Sequence, residues 1–531
     1  MKSRFLPLGL LLTAVTIGAT AARAQDGNSP TLVVMVSVDQ FRGDLIDRYK
    51  SAFSGGLRRF LDEGYRFTSA SHAHAVTHTA AGHATLSTGV FPSRSGIVAN
   101  SWSHRTGSVW NPMYAVEDLD SPILGFEQVQ GLPGRSPKNL MRTGLADWMR
   151  AQDSDARTFS VSSKDRSAIT MAGQTDSNVF WLVPQLARFV TSTHYANSYP
   201  GWLNRFNEEV MPGIVAETVW ESLASPELQR LARADAATYE GDKEHTSFPH
   251  LSSQEGGAAG PQGHNAWALL HSPADDAVIA LAKAGLDEFD LGQRGNVDYL
   301  AIALSATDYV GHEYGPFSQE QLSNLINVDR LLGDFFDYLD QQVGEGNWVA
   351  GISADHGVAT PPEAAQAMGN MEAERFDPGM KQAAVSQVFQ EVSREGGSPE
   401  ETADRAAQLL EERGVVEKAY THHDLTRGEL ADSFAVMFRN SHYPGRAHRP
   451  LSPYGLEYRF GDGDLVSYRT GTTHGTPYWY DRWVPFMLMG AGVARGSSDS
   501  AAYTVDMAPT LAALAGIRAP DDLDGRAIYP R

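Results

Sequence analysis

The 531-residue chain contains no cysteine. That excludes thiolate nucleophiles, disulfides, cysteine-ligated zinc and a lipid-anchored N-terminal cysteine. Any metal must be held by His, Asp, Glu or hydroxyl groups. A chain of this length buries enough apolar surface to fold without cross-links. Beyond its first residues, no apolar run reaches the roughly 20 residues that a membrane-spanning helix needs. Positive charge is also scarce: 43 Lys and Arg stand against 64 Asp and Glu, a net charge of −21. Such a surface repels nucleic acid and anionic lipid. A small anionic substrate would need a local positive site, which metal ions can supply. No internal repeat is visible.

The opening MKSRFLPLGLLLTAVTIGATAARAQ has a different character. Lys2 and Arg4 precede an apolar run from Phe5 to about Ala19, and Ala22-Arg23-Ala24 has the small-x-small pattern of a signal peptidase site. Residues 1–24 therefore read as a signal peptide cleaved after Ala24, which makes the mature protein periplasmic or secreted. No twin-arginine pair is present, so export unfolded through the general secretion route is expected. Cleavage leaves 40 basic residues against 64 acidic, a net charge of −24.

Short apolar runs recur far apart: Leu32–Val38, Tyr299–Leu304, Trp348–Ile352 and Val484–Met489. Their continuous apolar character fits parallel strands covered on both faces. Helical patterns lie between them. After Ser318, a stripe of Leu322, Leu325, Ile326, Leu331, Leu332, Phe335, Phe336 and Leu339 has helical spacing. Met507 onward to Gly516 reads as a short helix with a glycine stop. The expected architecture is α/β, a doubly wound, mostly parallel sheet flanked by helices. Residues 25–531 would form one catalytic domain with insertions at about 105–290 and 360–462, covering the face where strands end.

Three apolar strands lead into aspartates: VVMVSVD ends at Asp39, LAIALSATD at Asp308 and WVAGISADH at Asp355. In a parallel sheet these carboxyl ends share one edge. Three carboxylates there would repel one another, and a divalent cation is the simplest way to hold them together. His312 lies four residues after Asp308, on the same side of a helix start. His356 directly follows Asp355, and His474 sits in the small-residue loop Gly471-Thr472-Thr473-His474-Gly475. Taken singly, each is also what a helix cap or turn would use. Gathered in strand-end clusters, they point to mixed His/Asp ligation of the kind that suits catalytic zinc.

The ordered set VSVDQFRGDLIDRY, THTAAGHATLSTGVFPSRSGIVAN, SSKDRSAI, TDYVGHEYG, SADHG and GTTHG resembles the alkaline phosphatase superfamily, in its type I phosphodiesterase/nucleotide pyrophosphatase branch. The C-terminal TVDMAPTLAALAGI and LDGRAIYP segments are typical of the superfamily as well. The resemblance implies two Zn²⁺ per chain. One would be held by Asp39, Thr79, Asp355 and His356, the other by Asp308, His312 and His474. It also implies that Thr79, at the start of a helix, is the nucleophile, since a metal and a helix N-terminus can activate a hydroxyl facing a phosphoryl group. His83 reads as a structural helix residue. His72, His74 and His78 read as loop or supporting groups, with no third metal expected there.

Asn100, Lys164 and Arg166 bear on the substrate. Lys164 and Arg166 are two residues apart, so an extended segment would aim both cations into one pocket. A phosphate monoester carries two negative charges for them to meet, and a diester one charge less. Within the family this trio resembles the monoesterase alkaline phosphatases. The resemblance implies a double displacement through a phosphothreonine. The sulfatase element is not met, because Val90 stands two residues before Pro92. A phosphodiesterase or nucleotide pyrophosphatase with side monoesterase activity is the alternative. A catalytically silent phosphate-ester-binding protein is less favoured, because all seven ligand positions are filled. The expected partner is a small phosphate monoester, with no nucleic acid and no stable membrane insertion. Oligomeric state stays open, and a monomer is compatible with the sequence.

Overall fold

Seven consecutive buried residues, Leu32–Val38, form β1 in the middle of a nine-stranded sheet. Leu32, Val34, Val36 and Val38 enter one core while Val33 and Met35 enter the other, as the period of two requires of a strand covered on both faces. The structure is a computed structural model. It describes residues 29–528 except 107–108, 127–131, 176, 428–429, 431, 449–455, 463–465 and 468–470. The expected signal peptide lies outside the described residues.

The other strands of the sheet are β2 (Tyr65–Phe67), β3 (Thr158–Ser162), β4 (Asn178–Val183), β5 (Arg188–Val190), β6 (Asp298–Leu304), β7 (Trp348–Ser353), β8 (Phe486–Gly490) and β9 (Gly496–Ser498). Their spatial order is β9-β2-β8-β7-β1-β6-β3-β4-β5. Only β5 and β8 run against the rest. The expected doubly wound, mostly parallel sheet is therefore found, with one correction. The apolar run at Val484–Met489 gives an antiparallel strand, not a parallel one, and it starts at Phe486. Burial on both faces makes a run apolar whichever way the strand points.

Seven helices frame the site: α1 (Thr79–Thr88), α2 (Leu145–Gln152), α3 (Asp165–Ala172), α4 (Pro273–Glu288), α5 (Ala306–Tyr314), α6 (Gln319–Leu339) and α7 (Met507–Leu514). Leu281 of α4 and Leu332 and Phe336 of α6 pack on one face of the sheet. Leu86 of α1, Leu145 of α2 and Leu511 of α7 pack on the other. Ser318 caps α6 by accepting from the Gln321 N–H. Among the described residues no helix is long and apolar enough to cross a membrane.

The stretch from about 105 to 290 is only partly an insertion, because it supplies β3, β4 and β5 to the main sheet. What stands apart begins with a hairpin, Ser101–Thr106 against Val109–Tyr114. The second stretch builds its own core from Val388, Val392, Ala406 and Leu410 on the helices Pro378–Glu395 and Pro399–Glu412. Its short strand Arg446–Ala447 pairs with the hairpin at His104 and Ser103.

The register sets where the site lies. β1 pairs with β6 from Leu32↔Asp298 to Val38↔Leu304, and with β7 from Leu32↔Trp348 to Ser37↔Ser353. The three strands thus end level. The Asp39 N–H donates to the Leu304 carbonyl at 2.8 Å, holding the first turn beyond β1 against its neighbour.

Candidate active site

Each of these three strands delivers one aspartate to the same edge. Asp39 and Asp355 are fully buried and Asp308 is 4% exposed. They join histidines in two groups, Asp39 with Asp355 and His356, and Asp308 with His312 and His474. Within each group the candidate ligand atoms lie within 4.8 Å of one another. His312 is one turn along α5 from Asp308, with its Nε2 3.2 Å from Asp308 Oδ1. His474 rides on a loop fastened by Asp481, whose Oδ2 accepts from the Gly475 and Thr476 N–H groups and the Thr476 hydroxyl.

The three imidazoles share one device. His312 Nδ1 faces the Thr472 carbonyl at 3.0 Å, His356 Nδ1 that of Gly357 at 2.9 Å, and His474 Nδ1 that of Thr77 at 2.7 Å. A carbonyl only accepts, so Nδ1 carries the proton and the Nε2 lone pair is left for the carboxylate cluster. That is how proteins orient metal-bound imidazoles. Asp39 Oδ1 and His356 Nε2 face each other at 3.4 Å, both buried and without a hydrogen-bond partner. These are orphaned donor atoms of the types zinc takes, with no sulfur among them. The residues present therefore fit the metal that the resemblance implies. The His356 and His474 rings stack at 3.5 Å, which brings the two groups together.

The electrostatics follow from confinement. Burial, reinforced by repulsion from Asp355, raises Asp39 well above the usual carboxylate range. Burial works the same way on Asp308, but Lys164 and His312 outweigh it and hold that group well below. Burial, with His356 and His312 alongside, pushes His474 well down and keeps its ring neutral. Burial lowers His356 as well. It opposes the charge on His312 too, but Asp308 outweighs it and raises that ring. Acids crowded this closely beside imidazoles are what a cation site demands.

Gln40 was not visible as a site residue in the sequence. It takes a left-handed backbone, φ 65°, which is uncommon for any residue but glycine. From there its N–H donates to Asp355 Oδ1 at 3.1 Å and its Nε2 to Asp308 Oδ1 at 2.8 Å. It ties one carboxylate of each group to the turn after β1. Its position directly after Asp39 was the only available signal.

Thr79 is the first residue of α1 and is 1% exposed. The preceding His78 makes no side-chain cap. Asn100 supplies one from outside, its Oδ1 accepting from the Ala80 N–H at 2.8 Å. α1 passes so close to the Asp355 backbone that only glycine fits at position 82. His83 does more than fill its helix: its Nδ1 lies 2.9 Å from the Thr79 carbonyl and 3.2 Å from Asp355 Oδ2. His72 lies between the Ala354 carbonyl and the Thr504 hydroxyl. Among the described residues, His72, His74, His78 and His83 belong to neither candidate metal group and form no third one.

Lys164 and Arg166 do not lie in an extended segment. Lys164 is the residue before α3 and Arg166 sits in its first turn, because the chain turns into a helix directly after β3. Lys164 Nζ contacts Asp39 Oδ2 at 2.7 Å and Asp308 Oδ2 at 2.5 Å, one carboxylate from each group. Burial opposes its charge, yet Asp308 and Asp39 raise its pKa. Arg166 Nη2 reaches the Thr79 hydroxyl at 3.5 Å. The structure thus gathers all ten expected residues at one edge of the sheet, with Lys164 turned to the carboxylates and Arg166 to the hydroxyl.

A mostly parallel sheet whose level strand ends converge on a helix-borne threonine is the fold of the alkaline phosphatase superfamily. Within it the chain belongs to the type I phosphodiesterase / nucleotide pyrophosphatase family, whose model matches residues 33–462. It is 31% identical to alkaline phosphatase PhoV of Synechococcus elongatus, over 94% of this chain and 92% of the relative. It is 29% identical to alkaline phosphatase PafA of Elizabethkingia meningoseptica, over 98% and 97%. The crystal structure of wild-type PafA superposes with a TM-score of 0.85 at 27% identity, covering 94% of this chain and 98% of that one. A PafA variant substituted at one threonine, one asparagine, one lysine and one arginine matches with a TM-score of 0.84 at 26% identity and the same coverage.

Proposed function

We propose that this chain is an exported, two-zinc alkaline phosphatase that hydrolyses phosphate monoesters through a phosphothreonine at Thr79. One observation carries the reading. Two separate His/Asp groups adjoin each other beside a single helix-borne hydroxyl, with Arg166 reaching that hydroxyl. The relatives named alkaline phosphatase support it, and so does the substitution of the same four residue types in the PafA variant.

Asp39, Asp355 and His356 would hold one zinc with Thr79, and Asp308, His312 and His474 the other. Bound zinc supplies Lewis-acid charge that lowers the pKa of a hydroxyl and neutralises a leaving oxygen. The chain does the rest. The start of α1 turns the positive end of its helix dipole to the phosphoryl group. Thr79 Oγ1 attacks phosphorus in line, the P–O bond to the leaving alcohol breaks, and water then cleaves the phosphothreonine. Arg166, Asn100 and Lys164 orient and neutralise the phosphoryl group.

The family's description also keeps a second reading in view, a diesterase with side monoesterase activity. Rates on a nitrophenyl phosphate monoester and on the matching diester, run beside metal analysis, decide between them. Faster diester turnover rejects the monoesterase reading, and fewer than two bound zincs rejects the metal assignment.

A further inference from the structure

The hairpin Ser101–Tyr114 begins and ends beside the phosphate-binding residues. Ser101 pairs with Tyr114 at the open end of its ladder, and the Ala115 N–H donates to the Asn100 carbonyl at 3.0 Å. Asn100 and Tyr114 therefore leave the hairpin side by side. Asn100 caps α1. Tyr114 turns the other way: its hydroxyl donates to Asp165 Oδ1 at 2.5 Å and accepts from Arg166 Nη1 at 3.5 Å.

Asp165 is already well supplied with donors. Arg135 Nε donates to its Oδ2 at 2.5 Å and the Arg166 N–H to its Oδ1 at 2.7 Å. None of these bonds involves the Arg166 guanidinium, so that charge remains available to a substrate. The Arg135 guanidinium also lies over the Tyr114 ring, 4.7 Å from its centroid. Arg166 Nε is buried without a partner. Among the described residues its guanidinium donates to two acceptors, the Tyr114 and Thr79 hydroxyls. Burial, with Asp165 next to it, pushes the Tyr114 phenol up, so it stays a donor under alkaline conditions.

We infer that Tyr114 is a positioning residue: bridging Asp165 and Arg166 from the hairpin end, it orders the guanidinium before substrate arrives and links Arg166 to Asn100 as one phosphate-orienting unit. The inference rests on the proposed monoesterase reading. A long side chain ordered beforehand costs the transition state no rotamer entropy. The benefit falls on monoesters, whose second charge is what Arg166 meets.

The test is a double-mutant cycle on Tyr114→Phe and Arg166→Ala, with kcat and KM measured on the nitrophenyl monoester and diester and zinc content checked for each variant. Tyr114→Phe keeps the ring beneath Arg135 and removes only the hydroxyl. It should lower monoester kcat/KM by about tenfold while moving the diester less than about twofold. In the Arg166→Ala background it should add less than about twofold. Asp165→Asn should show the same dependence on Arg166, which guards against a folding defect in one variant. Equal losses on both esters, or an undiminished loss without Arg166, overturn the inference. A wild type faster on the diester overturns the monoesterase reading instead, and the cycle then still decides whether Tyr114 acts through Arg166.

Discussion

Gly82 and Asp355 meet backbone to backbone: a Cβ at position 82 would stand 2.6 Å from the Asp355 Cα. Here α1 is pressed against the turn after β7, setting Thr79 relative to Asp355 and His356. Gly82→Ala must push the two apart, since neither backbone is a flexible side-chain end. Overpacking of this kind costs about 1–3 kcal/mol, and a displacement near 1 Å at a reacting centre costs about 100-fold in rate. The variant should therefore stay folded by thermal melt and lose most of its kcat. Activity within about threefold of wild type would show that the close approach does not position Thr79.

Thr79→Ala removes the proposed nucleophile and one proposed zinc ligand, leaving six. Turnover should vanish while both metals remain, as judged by metal analysis of the purified variant. The Thr79 hydroxyl makes its bond to Arg166 at 3.5 Å, so little else depends on it. Near-normal activity would refute the nucleophile assignment.

The strand-end aspartates were legible because buried parallel strands are written as unbroken apolar runs, and Asp39, Asp308 and Asp355 each follow one. The i,i+4 pair Asp308 and His312 was equally open, since helical geometry alone puts both on one side. Other features depend on tertiary contacts that no local pattern encodes. The direction of β8 is one, because an apolar run does not reveal its sense. The segment around Lys164 is another: a spacing of two reads as extended until the helix starting at Asp165 is known. Gln40 and Tyr114 act through partners 268 and 51 residues away. The stretch 105–290 misled because loops rich in Trp, Pro and Gly surround the short strands β3–β5 and hide them.

Lys164 and Arg166 divide their work in the structure, which makes the double variant informative. Lys164→Ala with Arg166→Ala removes the two cations that the proposed reading assigns to a monoester more than to a diester. Charge-assisted contacts are worth roughly 1.5–3 kcal/mol each. Monoester kcat/KM should fall far more than diester kcat/KM, measured on matched nitrophenyl esters. Equal losses on the two would undermine the charge argument. Because Lys164 also bridges Asp39 and Asp308, Lys164→Ala alone should change zinc affinity more than Arg166→Ala alone. A zinc titration of each single variant reads that difference.

The last prediction concerns stability away from the reacting atoms. His250 lies between Glu255 Oε1 at 3.0 Å and Glu320 Oε1 at 3.3 Å. Burial works against its charge, but hydrogen bonds to Glu255 and Glu320 outweigh it and raise the imidazole from 6.5 to about 9. A base raised on folding contributes stability that is fully present below its unfolded pKa and disappears as pH climbs through the folded value. The window here runs from about pH 6.5 to about pH 9. Asp235, pushed up to about 6 by burial and by Glu320, titrates below it. His250 also meets the Tyr314 hydroxyl at 3.4 Å, at the end of the helix that carries Asp308 and His312. Melting temperatures of the zinc-loaded protein should therefore fall across this window, and His250→Gln should flatten the fall by removing the titrating charge. The proposed zinc ligation would add its own pH dependence to both proteins, so the comparison is between slopes. Parallel slopes for wild type and variant would mean that the His250 ion pairs contribute nothing to stability over this range.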